Sequence, residues 1–65
     1  MNDVKLLAYV ISKIKDERED SELFVSSGRA PTYDEYRYVC GVIRGLARAD
    51  EIVKDLVQRL EKNDD

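Results

Sequence analysis

The chain has 65 residues, 38% of them charged, and a formal net charge of −3. That allows one domain at most, with a core too small to stand alone unless a disulfide, a metal or a partner supports it. One cysteine and no histidine exclude an intrachain disulfide and argue against a zinc site, so association is the route left.

Asn2 or Asp3 can cap a first helix. Val4, Leu7, Ile11 and Ile14 follow at alternating spacings of three and four, the signature of one apolar helical stripe. Leu6 and Val10 widen it. Continued, the heptad runs through Arg18, Ser21 and Val25. The stretch from Lys15 to Glu22 is almost wholly charged but has no Gly or Pro, which suits a solvated helix face. The spacing predicts a helix over about 3–26, thinly cored in its second half.

Ser26, Ser27 and Gly28 end it, with Gly28 suited to the left-handed C′ position. A turn over about 27–32 follows. A connection this short makes the neighbouring helices antiparallel. Thr32 with Glu35 reads as a capping box that starts a second helix over about 33–62. Asn63, Asp64 and Asp65 are expected to fray.

The second helix carries two apolar seams. One is Tyr36, Val39, Ile43, Leu46, Val53, Val57 and Leu60, with Asp50 in its middle. The other is Tyr38, Gly41, Gly45, Ala49, Ile52 and Leu56. One partner needs an apolar stripe a little over 100° wide, and this arc is about twice that. The expectation is therefore a helix packed on two sides, with Gly41, Gly45 and Ala49 allowing close approach of another backbone. The fold class is all-α: an antiparallel two-helix hairpin that assembles into a helical bundle or docks on a larger protein.

The turn alone sets residue i of the first helix near residue 58−i of the second, give or take a turn. Leu7 and Ile11 then meet the stretch 46–53. Arg18 lies across a tyrosine-rich end, Tyr36 packs on Phe24, and the longer second helix overhangs near Leu60.

Catalysis has little to work with. Without histidine, acid–base chemistry falls to carboxylates, tyrosine or lysine. Asp50 is the one carboxylate on an apolar seam, and reads as a buried, register-setting polar residue partnered by Tyr9, Lys5 or another subunit. No phosphate loop, Cys-x-x-Cys pair or nucleophile elbow occurs. The chain is read as a non-enzyme with no catalytic, cofactor-binding or metal-binding residues and no small-molecule substrate.

Arg37, Arg44 and Arg48 line the polar face of the second helix. They serve as ion-pair partners for the acidic run Asp16, Glu17, Glu19 and Asp20, or as a polar rim around a partner site. Tyr38 is the candidate anchor of that site. Cys40 reads as a small core residue.

The segment Asp34-Glu35-Tyr36-Arg37-Tyr38-Val39-Cys40-Gly41-Val42-Ile43-Arg44-Gly45-Leu46, with the acidic tail from Leu60 to Asp65, resembles a class of short, uncharacterised accessory proteins of tailed bacteriophages. The resemblance covers most of the chain. It implies an accessory role in a phage, in the virion or its assembly, and transfers no site residues. In architecture only, the hairpin is similar to the small plasmid copy-control protein that dimerises into a four-helix bundle and binds paired RNA loops.

The partner expected is the chain itself, as a homo-oligomer, or a larger protein. One alternative is a nucleic-acid-binding bundle using Arg37, Arg44, Arg48 and Lys13, against which the acidic balance argues. Another is an inhibitor acting on a host enzyme through its acidic surface. No run of about 20 apolar residues is present to span a membrane. The N-terminus lacks a signal peptide's basic region and apolar core, and an unpaired cysteine suits a reducing cytoplasm. The expected location is the cytoplasm, that of a bacterial host for a phage protein, or the virion.

Overall fold

The computed structural model describes residues 2–62, so the expected fraying of residues 63–65 lies outside it. The described residues form two helices: α1 (Asp3–Ser26) and α2 (Tyr33–Lys62). They pack against each other as an all-α hairpin.

Local chemistry fixes the helix ends. The Asn2 side chain accepts the Val4 N–H at 2.8 Å and caps α1. The charged stretch after Lys15 stays helical throughout, with Arg18 and Glu22 paired one turn apart at 3.7 Å. At the C-terminal end, the Gly28 N–H reaches the Val25 carbonyl at 3.2 Å. The Arg29 N–H reaches that of Phe24 at 3.3 Å. These two bonds form a Schellman motif, which needs a left-handed residue at C′, and Gly28 supplies it with φ of 75°. A side chain there is strained by roughly 1–2 kcal/mol. Gly28→Ala is accordingly expected to lower stability by about 1 kcal/mol, read from urea melts; an unchanged midpoint would count against this account of the turn.

At the start of α2 the Thr32 Oγ accepts the Glu35 N–H at 3.1 Å. Only that half of the capping box forms; the Glu35 carboxylate does not return a bond to the Thr32 N–H.

Half-buried positions trace the seams. On α1 they include Val4, Leu7, Ile11, Ile14, Arg18, Ser21 and Val25. On α2 they include Val39, Ile43, Leu46, Asp50, Val53, Val57 and Leu60. Both sets keep the heptad spacing, as two helices meeting along one line require.

The register differs from the one the turn length suggests. One cleft is lined by both Ile14 and Asp50, so α2 is displaced along α1 by more than a turn. Heptad spacing then sets Val4 against Leu60, Leu7 against Val57 and Val25 against Val39, and each of these is half-buried. The overhang consequently falls at the opposite end from the one expected. Leu60 is partly covered, whereas Tyr33, Tyr36 and Tyr38 stand exposed beyond the shorter helix. Arg18 moves with the register: it lines the cleft with Asp50 and Lys54 rather than lying across the tyrosines. Tyr36 stacks on Tyr33, centroids 6.2 Å apart, rather than on Phe24. The adjacent Cys40 thiol, through a hydrogen bond and its charge, holds the Tyr36 hydroxyl above the usual phenol range.

No described residue is fully buried. Cys40 is only half-buried, a flank of the seam rather than a core residue. The molecule measures 51 × 16 × 13 Å with a radius of gyration of 15.1 Å; a compact chain of this length has about 11 Å. Its surface is 5297 Å², against about 4,200 Å² for a compact protein of 7.5 kDa. The hairpin therefore shields its seam and little else.

Candidate interaction surface

The two long flanks of an antiparallel helix pair are not equivalent. One is bordered by heptad positions e of both helices, the other by positions g of both. With the seam residues at a and d, the e flank is polar. Lys15, Arg18, Glu19, Glu22, Asp50 and Lys54 line its 270 Å³ cleft together with Ile11 and Ile14.

Asp50 sits at the mouth of that cleft with 15% of its side chain exposed, and its carboxylate accepts from Lys54 Nζ at 2.8 Å, four residues on. It is thus half-buried rather than buried. Within the chain its partner is a neighbour on α2, not Tyr9 or Lys5.

The g flank, taken with the neighbouring c positions, carries an apolar stretch at the end where α1 begins. Leu6 and Val10 of α1 are 51% and 37% exposed, and Ile52 and Leu56 of α2 are 56% and 44% exposed. Ala49, one turn before Ile52, is half-buried, and the exposed Gly45 and Gly41 continue the row towards Tyr38, itself 73% exposed. A methyl group built on Gly41 or Gly45 would meet nothing within 4 Å. The second seam is therefore uncovered by α1: within one chain, α2 packs on one side, not two, and no backbone approaches the glycines. Sequence reasoning put Leu6 and Val10 in the first helix's stripe without assigning them to this surface. The helical wheel carried the signal, because antiparallel pairing brings g beside g, here Val10 and Leu56, with Leu6 and Ile52 at the adjoining c positions.

Arg37, Arg44 and Arg48 are all exposed. The ion pairs among the described residues are Arg18–Glu22, Arg48–Glu51, Lys54–Asp50 and Arg59–Asp55, each within one helix. Arg37 and Arg44 do not meet the acidic run of α1. The register shift carries that run away from Arg37, and a pair formed within one helix needs no interhelical match. Lys13 lies over the Tyr9 ring, 5.4 Å from its centroid, and so stacks on its own helix.

No helix among the described residues is long and apolar enough to cross a membrane. No protein-family model, curated protein or solved structure matches the chain.

Proposed function

We propose that the protein is a non-enzymatic helical interaction module that works by docking its g flank onto protein. One observation carries this: Leu6, Val10, Ile52 and Leu56 stand open to solvent on a hairpin with no fully buried residue. Contiguous apolar surface of this kind marks interaction sites in soluble proteins. Tyr38 at its edge is the residue type that anchors interfaces, and Arg37, Arg44 and Arg48 supply polar surroundings of the kind found at interface rims. The resemblance to accessory proteins of tailed phages extends the reading to a structural or assembly role in such a particle.

A photo-cross-linking phenylalanine analogue in place of Ile52 tests the surface in the cell that makes the protein. Covalent adducts are expected from position 52 and not from Gln58, which is exposed on the polar side. The reading fails if position 52 yields no adduct, or no more than position 58.

A further inference from the structure

We infer that the occupant of the g flank is a second copy of this chain, its α2 antiparallel to the first, with the two-fold axis passing between Gly45 and Ala49. This rests on the reading of that flank as an interface and adds the partner and its orientation.

Area comes first. The hairpin exposes about 1,000 Å² more than a compact protein of its mass. A standard interface removes about 800 Å² from each partner. One pairing of like with like accounts for an excess of that order.

The order of side chains along α2 comes second. A two-fold pairing is self-complementary: whatever faces a residue must come from the same row, read backwards. About an axis between positions 45 and 49, Tyr38 faces the partner's Leu56 and Gly41 faces the partner's Ile52. Gly45 faces the partner's Ala49. Small meets small where the helices cross, large meets small a turn further out, and the bulkier side chains meet towards the ends. The open space around both glycines is what the partner's larger side chains need. Leu6 and Val10, on the same flank of α1, border this contact and extend it.

Charge comes third. The same axis sets Glu35 opposite the partner's Arg59, twice by symmetry. Both residues are exposed. A parallel pairing sets Glu35 against Glu35 and Arg59 against Arg59, and leaves each glycine facing a glycine. Size and sign thus favour the antiparallel arrangement. The e flank offers no comparable surface, being lined by Lys15, Glu19, Glu22 and Lys54.

Two measurements test this. Light scattering of the unaltered chain is expected to give about twice the 7.5 kDa chain mass, falling to the single mass on dilution. Orientation is read by disulfide trapping in a Cys40→Ala background. Chains carrying Tyr38→Cys mixed with chains carrying Leu56→Cys should form a mixed covalent pair. Tyr38→Cys alone should not, because antiparallel pairing holds the two copies of position 38 about 27 Å apart. Should either variant unfold, Gly41→Cys with Ile52→Cys reads the same geometry. A folded monomer at every concentration overturns the self-pairing. If adducts to another protein still arise from position 52, the broader interface reading stands; if they do not, both fall. Self-linking of Tyr38→Cys overturns the antiparallel orientation.

Discussion

Replacing Gly41 and Gly45 together by leucine is expected to leave the hairpin folded and more stable as a monomer, while its association collapses. Each glycine in a helix interior costs about 1 kcal/mol relative to alanine, and leucine is nearly as good a helix former as alanine. No atom outside the helix's own backbone lies within 4 Å of a β-carbon at either position, so the larger side chain has room. The monomer should gain about 1.5 kcal/mol in total. At the proposed contact the same change overfills a close crossing, and overpacking costs roughly 1–3 kcal/mol per site. With two sites in each chain, Kd should rise at least a hundredfold. Circular dichroism at a concentration where the chain is monomeric gives the first effect; sedimentation or light scattering gives the second. A double variant that pairs as tightly as the parent removes the glycine row from the interface.

The second large effect is expected at Asp50. It lies in the a/d seam beside Ile14, only 15% exposed, and its one partner is Lys54. Lys54 is well exposed, and an ion pair of that kind contributes about 0–1 kcal/mol. A leucine at the same place would bury apolar area against Ile14 worth about 2 kcal/mol and favour the helix by a further few tenths. Asp50→Leu should therefore raise stability by about 1–2 kcal/mol, a rise in Tm of roughly 4–8 °C for each kcal/mol in a chain this small. A lone polar residue at an a position also fixes register. The variant is expected to show a broader range of associated masses as alternative alignments open. Destabilisation instead would mean that the carboxylate makes a contact beyond Lys54.

What was legible in the sequence is what neighbours in the chain decide. The Asn2 and Thr32 caps and the left-handed Gly28 depend on side chains within a few residues, and the structure has them. The heptad seams depend only on periodicity, and half-burial follows them from Val4 to Val25 and from Val39 to Leu60. What was not legible is axial position. A turn of a few residues tolerates a slide of α2 along α1, and only layer-by-layer packing chooses the offset. One wrong offset misplaced Arg18, Phe24 and the overhang together. The cross-helix pair expected of Arg37 failed for the same reason, and Arg48 and Arg59 find carboxylates one turn away on their own helix. The second seam was legible as apolar. Whether it is covered was not, because that depends on molecules other than this one.

The unlikeness of the two flanks has an effect on growth. A rod with grease on opposite sides can stack without end, each newcomer presenting a fresh sticky side to the next. Here the opposite side is the charged one, with Lys15, Glu22 and Lys54 turned outward along the cleft. Once two rods have joined, nothing apolar of comparable extent is left to recruit a third. Assembly through this surface, as proposed, would terminate at a fixed stoichiometry instead of running on into a fibre.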